Sequence, residues 1–235
     1  MCHDTAPALF PQTASTGSID GAICALRYAG ATRGPRLLVL PDIYGCNAFY
    51  RGYAAYLAAQ GASEVLLADP FAPFGELAVP TREAAFQRRH RLADRTYVEE
   101  LIGFIAGQGI DGVAGFCLGG LFVFELARRQ VVSRLVAYYP FPQGLENRDP
   151  LDVPFDYLPQ VRARHTVVVG DEDALLGPQN LSRLQAQARA NNAIDLHVMQ
   201  GAGHGFLADL GSTDTARAAM ARRGLDLGTA SLLET

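Results

Sequence analysis

Residues 111–122 read Asp-Gly-Val-Ala-Gly-Phe-Cys-Leu-Gly-Gly-Leu-Phe. Cys117 lies here between Gly115 and Gly119, the G-x-nucleophile-x-G spacing of a nucleophile elbow, with cysteine where serine is more usual. The glycines answer a steric need. A strand that turns straight into a helix strains its nucleophile and crowds positions −2 and +2. At a helix N-terminus the unbonded N–H groups and the dipole favour thiolate over thiol. The N–H of Leu118 then faces the place where an oxyanion would form. The alternatives are a buried cysteine and a phosphate loop. No Lys-Ser/Thr follows and G-x-G-x-x-G is absent, which sets the phosphate loop aside.

A cysteine nucleophile needs a base and an orienting acid. Hydrolases with such an elbow carry them downstream, acid first and histidine second. After Cys117, residues 165–173 read His-Thr-Val-Val-Val-Gly-Asp-Glu-Asp, a buried strand entering a carboxylate-rich turn. Asp171, Glu172 and Asp173 all stand in that turn. Asp173 is favoured over Asp171, because strand-Gly-x-x-Asp leaves the chain room to turn back over the sheet edge. Farther on, His204 sits between Gly203 and Gly205 just past another strand. His3, His90, His165 and His197 lie in a tail, a charged helical stretch or strands, where a structural histidine is expected. Cys2, Cys24 and Cys46 read as small buried hydrophobes or free thiols, and no pair has zinc-type C-x-x-C spacing.

The elements that must carry these groups are visible as apolar, β-branched runs alternating with helical patterns. Strands are expected at 23–27, 36–41, 64–68, 112–115, 134–139, 166–169 and 196–199. Helices are expected at about 48–60, 81–107, 118–129, 178–191 and 214–223. This alternation predicts an α/β fold: a mostly parallel sheet with helices on both faces. Ligands in such sheets bind beyond the carboxyl ends of the strands, where Cys117, Asp173 and His204 all fall. The 235 residues suit one domain spanning 1–235. A 49% hydrophobic fraction supports a sizeable core, while mean hydropathy of +0.07 and short apolar runs speak against membrane spans. The net charge of −4 has no block of like sign, so nucleic acid is not an expected partner. Nothing near the N-terminus reads as a signal peptide, so a cytoplasmic location with reduced thiols is expected. Helical apolar faces fit a core as well as an interface, so a monomer or a small homo-oligomer is expected.

Together, Gly115-Phe-Cys-Leu-Gly-Gly, Gly170-x-x-Asp173 and Gly201-Ala-Gly-His204-Gly-Phe resemble the dienelactone hydrolase (carboxymethylenebutenolidase) family of α/β-hydrolases. So do Leu40-Pro-Asp-Ile-Tyr-Gly-Cys-Asn and Leu67-Ala-Asp-Pro-Phe, and the likeness runs from about Arg36 to Phe206. The resemblance implies a Cys117–Asp173–His204 triad with no metal or organic cofactor. It implies Ile43 N–H as the oxyanion donor beside Leu118 N–H. It also implies that Asp42 takes the place of a family glutamate that switches the thiol to thiolate; otherwise Asp42 is a turn or N-cap residue. Ala208 stands where the best-known members have an arginine for the substrate carboxylate. Arg82, Arg88, Arg89 and Arg91 are candidates for a second family arginine, and the substrate-binding residues stay open. The expected substrate is a small ester or enol lactone, hydrolysed through a thioester acyl-enzyme. The alternatives are a general carboxylesterase or thioesterase, or a non-catalytic reactive-thiol protein.

Overall fold

The computed structural model describes residues 5–233. Cys2 and His3 lie outside them. Strands β1 (Gly17–Ile19), β2 (Cys24–Ala29), β3 (Arg36–Leu40), β4 (Glu64–Asp69), β5 (Gly112–Phe116), β6 (Arg134–Tyr138), β7 (His165–Gly170) and β8 (Ile194–Met199) form one sheet. Their order is β1-β2-β4-β3-β5-β6-β7-β8. All pairings from β4 through β8 are parallel, and β2 joins β4 antiparallel, with β1 antiparallel at its edge. The helices are α1 (Ala48–Ala59), α2 (Arg82–Arg89), α3 (Asp94–Gln108), α4 (Leu118–Arg128), α5 (Pro154–Tyr157), α6 (Pro178–Ala190) and α7 (Thr215–Leu233).

The two-residue period of a strand explains how one sheet serves two cores. Leu37 and Val39 of β3 pack with Phe49 and Tyr53 of α1 and Leu225 of α7. Their neighbours Leu38 and Leu40 pack on the other face with Leu101 of α3, Leu126 of α4 and Leu184 of α6. Each such fully buried leucine contributes about 1.5–3 kcal/mol. The α/β-hydrolase arrangement expected from the sequence is therefore present: a mostly parallel sheet with helices on both faces.

Three expectations change. The helix expected over 81–107 is two helices, α2 and α3. Ala93 leaves helical geometry (φ −89, ψ 102), and the Asp94 carboxylate takes two buried bonds from the Arg89 guanidinium at 2.7 and 2.6 Å. Asn147 secures the break by donating to the Leu92 carbonyl. The last helix runs ten residues beyond 223, to Leu233. Ala221, Leu225, Gly228 and Leu232 form a buried stripe, so packing overrides the poor helix propensity of its glycines. Strand β1 was not expected at all; its three residues are half-exposed or exposed and carry no alternating apolar signal.

Candidate active site

The carboxyl ends of the parallel strands feed the loops that carry the expected residues. Strand β5 ends at Phe116, whose ring is wedged among aromatic neighbours. It stacks on Tyr138 at 4.7 Å and meets Tyr50 and Tyr53 edge-on at 5.1 and 5.0 Å. From this anchor the chain turns sharply. Cys117 has φ 55 and ψ −108, which no ordinary side-chain-bearing residue adopts without cost, about 1–3 kcal/mol. Its N–H donates to the Tyr138 carbonyl at 3.0 Å, and its carbonyl accepts from Leu121 N–H as α4 begins. A Cβ at Gly115 would collide with the Gly119 carbonyl, and one at Gly119 with the Leu40 carbonyl. The elbow glycines are thus fixed by close backbone approach, as the spacing implied. Leu118 opens α4, so its N–H belongs to the first turn, where no intrahelical acceptor exists.

Asp173 and His204 come from adjacent loops that hydrogen bonds join together. Glu172 N–H donates to the Ala202 carbonyl at 3.0 Å and Asp171 N–H to the Met199 carbonyl at 3.2 Å. Asp171 Oδ1 accepts from Gly201 N–H at 2.7 Å, so this carboxylate braces the histidine loop. Asp173 is the buried one. Its Oδ1 accepts from the N–H groups of Leu175 and Leu176, and its Oδ2 lies 2.8 Å from His204 Nδ1. Both side chains are almost wholly enclosed. The His204 ring is further held by Tyr139, edge-on at 5.2 Å, and by Phe141 at 5.3 Å. Tyr139 itself has φ 37, a second strained residue beside the same ring.

The loop after β3 is a tight turn. Gly45 N–H donates to the Asp42 carbonyl at 3.1 Å and Tyr44 N–H to Asp42 Oδ1 at 2.8 Å. Gly45 takes φ 75, the left-handed conformation that closes such a turn. With the Asp42 carbonyl turned toward Gly45, the trans peptide aims the Ile43 N–H the opposite way. The Asp42 carboxylate is completely buried. Asp42 is therefore a turn residue but not the N-cap of α1; that is Asn47, which accepts from the N–H groups of Phe49 and Tyr50.

Cys117, His204 and Ile43 line one cavity of 190 Å³, and Arg82 is its only cation among the described residues. The remaining wall is largely apolar, including Phe86, Phe141, Leu145 and Leu175. The four candidate arginines separate cleanly. Arg82 reaches the cavity, Arg88 donates to the Ile43 carbonyl, Arg89 pairs with Asp94, and Arg91 stacks over Phe74. Ala208 is exposed and does not line the cavity. Among the described residues no three His, Cys, Asp or Glu side chains are grouped to hold a metal ion. The other described histidines have structural surroundings: His165 is buried in β7 against Phe124, His197 sits beside Asp195, and His90 caps α2.

The sequence profile of the dienelactone hydrolase family matches residues 24–227. The chain belongs to the dienelactone hydrolase family. It is a hydrolase of that family. It is 86% identical over 233 residues to carboxymethylenebutenolidase 2 of Cupriavidus pinatubonensis, covering 99% of each chain. It is 32% identical to the carboxymethylenebutenolidase of Rhodococcus opacus, covering 75% of this chain and 72% of that one. Among solved structures, a Klebsiella pneumoniae protein assigned as a dienelactone hydrolase superposes with a TM-score of 0.72 at 19% identity, over 92% and 96% of the two chains. Est1E of Butyrivibrio proteoclasticus superposes at 0.61 and 14% identity, over 93% and 99%. These two likenesses concern the fold.

Proposed function

We propose that this dienelactone hydrolase is a carboxymethylenebutenolidase acting on a small, carboxylate-bearing enol lactone through a thioester acyl-enzyme. The observation that carries the reading is the shared cavity of Cys117, His204, Ile43 and Arg82, with Asp173 bound to the far side of the imidazole. The Cys117 thiolate adds to the lactone carbonyl carbon, and the π pair moves to oxygen. The N–H groups of Ile43 and Leu118 hold that oxyanion; one such donor is typically worth ~10²–10³ in turnover. Collapse breaks the ring C–O bond and expels an enolate, a far better leaving group than an amine. His204 then takes a proton from water, which attacks the thioester and releases the thiolate. Asp173 keeps the imidazole in the tautomer this needs. Asp42, buried at the base of the oxyanion turn, is the carboxylate that would draw the proton from the thiol. Arg82 supplies the cation for the substrate carboxylate, a role that Ala208 cannot fill.

The apolar wall and Ala208 favour a second reading, a generalist carboxylesterase or thioesterase. A substrate panel separates the two. On the first reading, cis- or trans-dienelactone is turned over with much higher kcat/KM than p-nitrophenyl acetate. Arg82→Gln then raises KM for the lactone and leaves p-nitrophenyl acetate turnover nearly intact. Equal kcat/KM on both substrates, with no lactone-selective effect of Arg82→Gln, would establish the generalist.

A further inference from the structure

The geometry points to Arg88 as a positioning residue that locks the oxyanion turn from behind, through the Ile43 carbonyl. This inference rests on reading Cys117 as the nucleophile and Ile43 N–H as an oxyanion donor. Arg88 lies in α2, about 1.7 turns beyond Arg82, yet it does not share the cavity with that residue. Its side chain is buried, only 9% exposed, and its guanidinium spans two backbone carbonyls from different loops. One terminal nitrogen donates to Ile43 O at 3.2 Å and the other to Gly75 O at 3.1 Å. The plane stacks over the Phe71 ring at 4.4 Å. A planar fork suits such a span; an ammonium on a flexible stem does not.

The Ile43–Tyr44 peptide is thereby held at both ends. Its carbonyl accepts from Arg88 and its N–H donates to Asp42 Oδ1. The preceding peptide, which carries the Ile43 N–H, is tied by Gly45 to the Asp42 carbonyl. Gly45 also leaves the space Arg88 occupies, since a Cβ there would come within 3.3 Å of the guanidinium. Without Arg88, the bond on the Ile43 carbonyl is lost, and the turn is freer to rotate the Ile43 N–H off the oxyanion. Displacements of about 1 Å in a reacting constellation cost on the order of 10²-fold in rate.

A solvent-accessible hollow of 280 Å³ that Cys117 does not line reaches Arg88, and Asp69 and Glu76 also line it. These carboxylates would attract a small cation, so free guanidinium can enter where the side chain has been cut back. The test uses Arg88→Met, which keeps the packing on Phe71, and Arg88→Lys, which keeps the charge. For both variants, kcat on p-nitrophenyl acetate should fall ~10–10²-fold with KM little changed. Trifluoroacetophenone, whose carbonyl becomes a thiolate-bound alkoxide in the oxyanion site, should bind more weakly by a similar factor. Iodoacetamide reacts at an sp³ carbon and needs no oxyanion donors, so its rate at Cys117 should be unchanged. Guanidinium chloride at millimolar concentration should restore part of the Arg88→Met rate. Unchanged kcat in Arg88→Met would overturn the assignment. So would a parallel fall in ketone affinity and alkylation rate without guanidinium rescue, since that would mark a general structural defect. Retained turnover in Cys117→Ala would instead sink the underlying reading of the site.

Discussion

Three cysteines lie among the described residues, and their surroundings separate them. Cys46 donates to the Ala68 carbonyl at 3.3 Å, and burial, with the Asp69 carboxylate adding to it, pushes its thiol well above the usual range. Cys117 stands strained at a helix start in a cavity shared with a histidine. One equivalent of iodoacetamide at neutral pH should therefore inactivate the enzyme with the label on Cys117 and not on Cys46, as peptide mass mapping would show. The acid can be tested as directly. Asp173→Asn should lower kcat by on the order of 10⁴-fold, the cost of presenting the wrong imidazole tautomer. Asp171→Asn removes only a brace on the histidine loop and should leave much of the activity; equal losses would mean the acid has been misassigned. The placement of Cys117, Asp173 and His204 just past the ends of strands could be read in the sequence, because each follows an apolar run with a glycine within three residues. The choice among Arg82, Arg88, Arg89 and Arg91 could not. All four fall within ten residues, and only the rotation of α2 and its break before α3 decide which one meets the cavity.

At the scale of elements, the elbow is the joint that the sequence shows best. Gly119 is constrained by the Leu40 backbone, so Gly119→Ala should destabilise by ~1–3 kcal/mol or more and weaken catalysis by shifting α4 against β3. Urea unfolding together with kcat would show both. The central strands were legible because parallel strands buried on both faces are apolar throughout, as the fully buried β5 is. The split between α2 and α3 was not legible. Nothing in the local pattern at residues 90–93 breaks a helix; the break is imposed by the buried Arg89–Asp94 pair and by Asn147, some fifty residues away. Asp94→Asn would leave the Arg89 guanidinium buried without its counter-charge, and about 3–5 kcal/mol of unfolding free energy should be lost. A loss within error of zero would show that the pair does not hold the joint.

The whole molecule rests on one sheet shared by two cores, and its stability should carry a signature of what is buried there. His165 is enclosed in β7; burial lowers its proton affinity from the ordinary value of 6.5, opposed in part by its bond to the Ala163 carbonyl. Below that pH the unfolded chain takes up a proton that the folded one resists. Stability from this group is thus complete above about 6.5 and is lost as the pH falls. Unfolding free energy should decline between pH ~7.5 and ~5.5, and His165→Gln should flatten the decline. An unchanged slope in the variant would assign the effect to other groups. No helix among the described residues is long and apolar enough to cross a membrane, in keeping with the short apolar runs of the sequence.

The role of Cys117 is tested most directly by turnover of a dienelactone by wild type, Cys117→Ala and Cys117→Ser, each checked for native folding. Cys117→Ala should show no turnover above the uncatalysed rate, and Cys117→Ser at most a weak residual rate. If a folded Cys117→Ala retained most of the wild-type kcat, Cys117 would not be the nucleophile, and the mechanism proposed for this cavity would be wrong.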